Sequence, residues 1–409
     1  MVRRVTDLAA RLHHPLPSLT PAAKTLGDIA GLRAAGVRAG IKASGNPDVA
    51  LLVADELVDV AAVFTQNKFA AAPVLVCREH LQKTGGRARA IVVNSGNANA
   101  CTGDDGLQNA RIMCADVAEL VGCAPEEVLV ASTGVIGVPL PMEKVRAGIR
   151  AAFQALAAGP EAGRAFLAAI QTTDAYPKEA CELGEGWSVA GVCKGAGMIA
   201  PNMATMLAFV ATDAPVDASA LPALLRSVAV GSFNAVHVDS HPSTNDSLFL
   251  LATKRGAPTS AFAEALRRTC RRLAWLIARD GEGATKVTTI RVTGASSDDA
   301  AQAIGRRVAE SALVRTALFG NDPNWGRFVS QVGNAKEVTS VAGLVCKVQG
   351  ITVFENDAPT RFDRAAASKA MASEDVLLEL ALTEGGGAGD ILTSDLGYRY
   401  VEVNAEYTT

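Results

Sequence analysis

Strand-like and helix-period segments alternate along the whole chain, and this predicts a layered α/β fold. One observation behind the prediction is the pattern itself: β-branched apolar runs bounded by turn residues, at Val49–Phe64 and 90–94, read as buried strands. Residues 107–121, 142–158 and 261–278 instead carry apolar positions at helical spacing. The second observation is the lack of a fixed-period repeat, of a linker, and of any low-complexity tract beyond the Gly-rich residues 385–389. A chain of 409 residues also exceeds what one core usually organises, so two units or one large layered body are expected. Periodicity leaves open whether a doubly wound sheet or a sandwich of two sheets results.

The elements have local causes. Val49–Phe64 is apolar but broken by Asp55, Glu56 and Asp59, so it reads as a strand and falls short of the ~18 apolar residues a membrane helix needs. Asp104 and Asp105 precede the helix at 107–121, placing negative charge at its positive end. Gly159 and Pro160 close the stretch at 142–158, and Asp280 with Gly281 closes that at 261–278.

With 49% apolar and 20% charged residues and a mean hydropathy of +0.20, the composition is that of a globular protein. The net charge is −3, and 39 basic residues are dispersed among 42 acidic ones, so neither nucleic acid nor a membrane is an expected partner. Residues 1–24 carry Arg3, Arg4 and Arg11 with one acid, Asp7, and lack the apolar core of a secretion signal; they read as an N-terminal extension. Eight scattered cysteines without a C-x-x-C pair suit reduced thiols and a cytoplasmic location. No metal site is expected: His237, Asp239 and His241 alternate but read as a strand end or loop.

Chemistry concentrates in a few segments. Lys194-Gly195-Ala196-Gly197-Met198-Ile199-Ala200-Pro201-Asn202-Met203-Ala204-Thr205 runs abruptly into a strand-like apolar stretch. Its glycines permit a bent backbone, and Ala204 leaves room at the carbonyl a hydroxyl would attack, as a self-cleavage site requires. A Thr at a new N-terminus then carries its own base, because its α-amine titrates near ~8. Ala131-Ser132-Thr133-Gly134 follows the strand-like Val128-Leu129-Val130 and offers a hydroxyl and a backbone amide for a developing oxyanion, or simply a tight turn. Asn94 to Asn99, Ser243 to Ser247, Asp280 to Gly283 and Asp322 to Arg327 are polar turn candidates, among which Glu282 is a carboxylate suited to a substrate amine.

Together these segments resemble the ornithine acetyltransferase family, the bifunctional glutamate N-acetyltransferases of arginine biosynthesis. The resemblance spans Gly40-Ile41-Lys42-Ala43-Ser44-Gly45, residues 93–103, Ser132-Thr133-Gly134, Thr172-Thr173-Asp174, residues 194–205, 243–246, 280–286, 322–327 and 403–409, in the family's order. It implies an N-terminal-nucleophile-like layered αββα sandwich with a smaller second α/β domain. It further implies a precursor that cuts itself between Ala204 and Thr205 into an α chain, residues 1–204, and a β chain, residues 205–409, which pair into a heterotetramer.

The implied reaction is ping-pong: Thr205 takes the acetyl group of N-acetylornithine and glutamate removes it, with Thr133 and Gly134 stabilising the oxyanion. Thr172, Lys194, Thr205, Glu282, Asn404 and Thr409 would contact substrate. No cofactor is implied, although acetyl-CoA is a candidate second donor. The chain departs from the family at Asp239-Ser240-His241-Pro242-Ser243-Thr244-Asn245-Asp246, where relatives commonly read D-G-D-T-S-T-N-D, and at Ala175, where Thr is frequent. The nucleophile is therefore more tightly implied than the acceptor. Two alternatives stay open: an amidase or aminopeptidase of similar architecture in which water completes the reaction, and an uncleaved, non-catalytic binding protein.

Overall fold

The computed structural model describes residues 21–200 and 206–406. In chain order the elements are β1 (Leu32–Val37), β2 (Val49–Phe64), α1 (Ala72–Thr84), β3 (Arg87–Asn97), α2 (Gly103–Val121), β4 (Val128–Val135), α3 (Met142–Gln154), α4 (Pro160–Ile170), β5 (Lys178–Gly184), β6 (Trp187–Lys194) and β7 (Leu207–Thr212). They continue as α5 (Leu221–Val230), β8 (Val236–His237), β9 (Ser247–Ala252), α6 (Phe262–Arg279), β10 (Val287–Ala295), α7 (Asp298–Ala309), α8 (Ala312–Phe319), α9 (Trp325–Gly333), β11 (Val345–Val348), β12 (Ile351–Glu355) and β13 (Ala358–Pro359). The last four are α10 (Arg364–Ala370), β14 (Asp375–Ala381), β15 (Gly387–Ser394) and α11 (Tyr398–Glu406).

Two mixed sheets result. The first has the order β4-β3-β2-β9-β7-β6-β5 with β1 also pairing β2, and the second β13-β12-β11-β14-β10-β15-β8. β7 and β9 are apolar without interruption because both faces are covered. Along β7, Leu207, Phe209 and Ala211 join the core beneath α1 to α4, while Ala208 and Val210 join the core beneath α5 and α6. On the α4 side, Phe209 stacks on Phe249 at 5.4 Å, and Phe166 meets Phe209 edge-on at 5.0 Å.

Helix α6 packs against β5 and β6 of the first sheet and against β8, β10 and β15 of the second, so α5 and α6 lie between the sheets. Helices α7 to α9 cover the far face of the second sheet around Ile290, Val292 and Ile391. The mixed α/β class, two sheets and helix layers agree with the expectation from sequence. Two local expectations change. The helix expected over 142–158 stops at Gln154, because Ala157 leaves the helix to bridge Ala34 before Pro160 starts α4. Residues 133–134 form no turn, since β4 runs through them to Val135. Among the described residues no helix is long and apolar enough to cross a membrane.

Candidate active site

The site begins where β3 and β4 pair in parallel, with Ser95 opposite Thr133 and Gly96 opposite Gly134. Gly134 has φ +132°, and a Cβ there would stand 2.3 Å from the Gly96 carbonyl carbon and 2.5 Å from the Asn97 nitrogen. Only glycine allows both that backbone conformation and that approach. Buried amides frame the pair: Ser132 Oγ donates to Asn94 Oδ1 at 2.6 Å, and Asn245 Nδ2 donates to the carbonyls of Ala98 at 2.6 Å and Ser132 at 2.9 Å.

Strand β6 delivers Lys194, 3% exposed, whose Nζ donates to Thr133 Oγ1 at 3.1 Å. Burial lowers the pKa of this lysine, opposed by the charge of Asp174. The chain then turns through Gly195 at φ +145° and Met198 at φ +59°, a bend fixed by Asp239, which accepts from the amides of Met198 at 2.6 Å and Ile199 at 2.8 Å. On the far side of residues 201–205, the Met206 amide donates to Asp246 Oδ1 at 2.9 Å. Burial raises the Asp246 carboxyl well above its ordinary range. Ala204, Thr205 and Thr409 lie outside the described residues.

A third wall comes from the corner after α6. The Glu282 amide donates to the Ala196 carbonyl at 2.9 Å, and a Cβ on Gly197 would fall 2.4 Å from Glu282 Cδ, so the carboxylate lies directly on the Gly197 backbone. Asn404 of α11 donates from Nδ2 to Glu282 Oε2 at 2.9 Å. Thr172, in the segment after α4, is turned by its own amide bond to Asp174 Oδ2 at 2.9 Å.

Thr133, Gly134, Thr172, Lys194, Glu282 and Asn404 all line one cavity of about 540 Å³. The cavity also includes residues that sequence reasoning did not assign to a site: Lys42, Ser44, His241 and Tyr400. Lys42 Nζ donates to the carbonyls of Pro47 at 2.7 Å and Gln171 at 2.6 Å, and burial brings its pKa down to about 8, against the pull of Asp48. Its signal was available in the Gly40 to Gly45 segment. Tyr400 was foreshadowed by lying one helical turn before Asn404, whose Nδ2 also donates to the Tyr400 carbonyl at 3.0 Å.

Of the remaining sequence candidates, His237 and Trp325 lie outside the cavity lining, whereas Asp239 and His241 are part of it. His237 pairs with Ser240 Oγ at 2.8 Å and Thr393 Oγ1 at 3.3 Å, Asp239 serves backbone amides, and His241 lies on the cavity wall. Trp325 stacks on Phe354 at 5.3 Å at the start of α9, away from the cavity. Among the described residues no group of three or more His, Cys, Asp or Glu is placed to hold a metal ion.

Lys42 and Lys194 on one part of the wall, Glu282 and Asp239 on another, and a hydroxyl beside a strained glycine amide suit a small molecule bearing both a carboxylate and an amine. The fold and site therefore define a layered α/β enzyme acting on an amino-acid-like substrate. The chain belongs to the ArgJ family, whose model matches residues 33–409. The arginine biosynthesis bifunctional protein ArgJ of Rhodopirellula baltica is 45% identical over 394 residues, covering 93% of this chain and 96% of that protein. The protein of the same name from Thermus thermophilus is 46% identical over 388 residues, covering 93% and 98%. Among solved structures, ornithine acetyltransferase from Mycobacterium tuberculosis, complexed with ornithine, is 39% identical over 45% of this chain and 97% of that one, with a TM-score of 0.42.

Proposed function

We propose that this chain is a self-processing glutamate N-acetyltransferase of arginine biosynthesis, which moves the acetyl group of N-acetylornithine to glutamate through Thr205. Thr205 Oγ attacks the acetyl carbonyl carbon while its proton passes to the Thr205 α-amine. The amide C–N bond then breaks, the departing ornithine amine takes that proton, and an acetyl ester remains on Thr205. The α-amine of glutamate attacks this ester, the C–O bond breaks, and the proton returns to Thr205 Oγ. The Gly134 amide and Thr133 hydroxyl stabilise the oxyanion in both halves, a donor role worth ~3 kcal/mol each time it is tested by removal.

The observation that carries this reading is the convergence of Thr133, Gly134, Thr172, Lys194, Glu282 and Asn404 on one cavity from widely separated segments. Lys194 and Lys42 attract a substrate carboxylate, and Glu282, steadied by Asn404, attracts the ornithine side-chain amine. Thr409 belongs to the same substrate-contacting set. Acetyl-CoA is a further donor by this reading, held as a substrate in a site that needs no cofactor.

Cleavage between Ala204 and Thr205 gives pieces of 204 and 205 residues. They stay joined because β6 and β7 pair from Val189–Thr212 to Lys194–Leu207 within one sheet, and β2 pairs β9 in the same sheet. In this reading two such pairs form a heterotetramer in the cytoplasm. Denaturing intact-mass analysis tests it: two fragments are expected, the second beginning at Thr205, while Thr205→Ala gives one chain without transfer. Full turnover by Thr205→Ala overturns the mechanism. Release of acetate at an unchanged rate with and without glutamate would identify a hydrolase instead.

A further inference from the structure

Behind the cavity, three of its walls meet at a cluster of buried charge that the transfer steps do not use. Lys178 Nζ donates to Asp174 Oδ1 at 2.6 Å and to Asp280 Oδ2, and the side chains of Lys178, Asp174 and Asp280 are 0%, 0% and 4% exposed. The Tyr176 ring lies 5.0 Å from the ammonium, and its hydroxyl donates to the Leu276 carbonyl at 3.0 Å. Burial alone would neutralise such groups. The Asp174 carboxyl is nevertheless held below the usual carboxylate range by the Lys178 and Lys194 ammoniums, and the two carboxylates hold Lys178 above the ordinary lysine value.

Each carboxylate also grips the backbone of a wall. Asp174 accepts from the amides of Gly195 at 2.8 Å and Thr172 at 2.9 Å, and Asp280 from that of Ala175 at 3.0 Å. Gly195 follows Lys194 directly, Thr172 is a wall residue, and Asp280 lies two residues before Glu282. One cluster thus ties together the three segments that carry Thr172, Lys194 and Glu282.

Its charge is equally specific. Above about pH 6, to which burial raises the Asp280 carboxyl against the pull of Lys178, two carboxylates around one ammonium leave one net negative charge, and a buried ammonium needs such a partner to remain ionised. Lys194, whose hydrogen bond goes to the neutral Thr133 hydroxyl, supplies the matching positive charge. Besides Asp174 and Lys178, it faces Asp246 and Glu282, with Lys42 opposing it from the other wall.

We propose that Asp174, Lys178 and Asp280 form a positioning unit for acetyl transfer, which fixes Thr172, Lys194 and Glu282 through backbone and chain connections and keeps the Lys194 ammonium charged for the substrate carboxylate. This inference rests on the acetyl-transfer reading above. The same buried triad in a purely structural role would support the fold without touching the ionisation of Lys194.

Asp280→Asn separates these roles, since it preserves shape and removes one charge. With the Asp280 charge gone, Lys178 neutralises Asp174 alone and less net negative charge faces Lys194, so kcat/KM for N-acetylornithine is expected to stay within about threefold of the unsubstituted enzyme at pH 6.5 while its alkaline limb moves to lower pH by about one unit. The loss appears in KM more than in kcat. Asp280→Glu, which restores the charge, returns the limb to its original pH even where its longer side chain lowers kcat. An unmoved limb in a folded Asp280→Asn protein overturns the proposal.

If Asp280→Asn does not fold, NMR titration of 13C-labelled lysines in the unsubstituted protein decides, with Lys194→Met providing the assignment. Lys178 should hold its proton to higher pH than Lys194, and the reverse order overturns the proposal. Absence of transfer by the unsubstituted enzyme would instead count against the acetyl-transfer reading, and the lysine titration still reports on the charge arrangement.

Discussion

Gly134→Ala tests the oxyanion arm of the site through a single methyl group. Residue 134 has φ +132°, a conformation that costs a non-glycine residue roughly 1–3 kcal/mol. The added Cβ would also meet backbone atoms of Gly96 and Asn97 at 2.3 and 2.5 Å, where no rotamer change can relieve it. Normal carbon contacts begin near ~3.5 Å, so β3 and β4 must part by about 1 Å or residue 134 must rotate its amide away. Either response misplaces the amide proposed to hold the developing oxyanion, and loss of one such donor costs ~3 kcal/mol, a drop of about 10²–10³-fold in kcat. KM should change by less than about threefold, because the contacts proposed for Lys194 and Glu282, to the substrate carboxylate and amine, are ground-state contacts that the substitution leaves in place.

Gly137→Ala supplies the control: residue 137 has φ +79° but nothing within 4 Å of an added Cβ, so it carries the conformational cost without the collision. Both variants should lose thermal stability, and only Gly134→Ala should lose catalysis. The assay is steady-state formation of N-acetylglutamate alongside thermal melting. A folded Gly134→Ala protein with kcat within threefold of the unsubstituted enzyme would refute the assignment of this strand end.

Glu282→Gln keeps a partner for Asn404 but removes the negative charge. KM for N-acetylornithine should rise about 10–100-fold, as expected for a charge-assisted contact of 1.5–3 kcal/mol, with a smaller change for glutamate, which has no side-chain amine. His237 contributes to acid stability: burial pushes its pKa down to about 3, aided by Arg315, whereas the unfolded chain titrates near ~6.5. Between those values only the unfolded state binds the proton, so the stability that His237 provides is complete above ~6.5 and lost at about 1.4 kcal/mol per pH unit as pH falls. Urea unfolding of His237→Gln from pH 6 to pH 4 should therefore show a shallower loss, and an identical slope would mean that His237 is already charged in the native protein.

The cavity-lining residues proposed to carry the chemistry were legible because glycine, threonine and lysine in fixed local order leave a one-dimensional trace. Gly134 is a case: its spacing after an apolar run marked a hydroxyl and amide together at a strand end, with a tight turn as the alternative, and the structure keeps both residues inside β4. Strand and helix types were legible for the same local reason, and residues 107–121 and 261–278 correspond closely to α2 and α6. Sheet order was not. The pairing of β2 with β9 joins residues nearly 200 positions apart, as Asp59 with Ala252, and nothing in either apolar run specifies that partner. The placement of α6 between two sheets was hidden too, because its buried side is wide enough to serve both, from Leu266 and Leu273 to Ile277.

The ion cluster was the least legible part, for a physical reason. Asp174 and Lys178 stand four apart and resemble an ordinary helical or surface pair, and such exposed pairs contribute little. Only the fold removes them from water and adds Asp280 from more than a hundred residues away. Burial then reverses the value of each charge: any one of the three without the others would be costly, whereas together with Lys194 they balance. The requirement for Asp280 is therefore created by tertiary structure, which is why it surfaced as a helix-ending residue in the sequence and as a partner of the cavity walls in the folded protein.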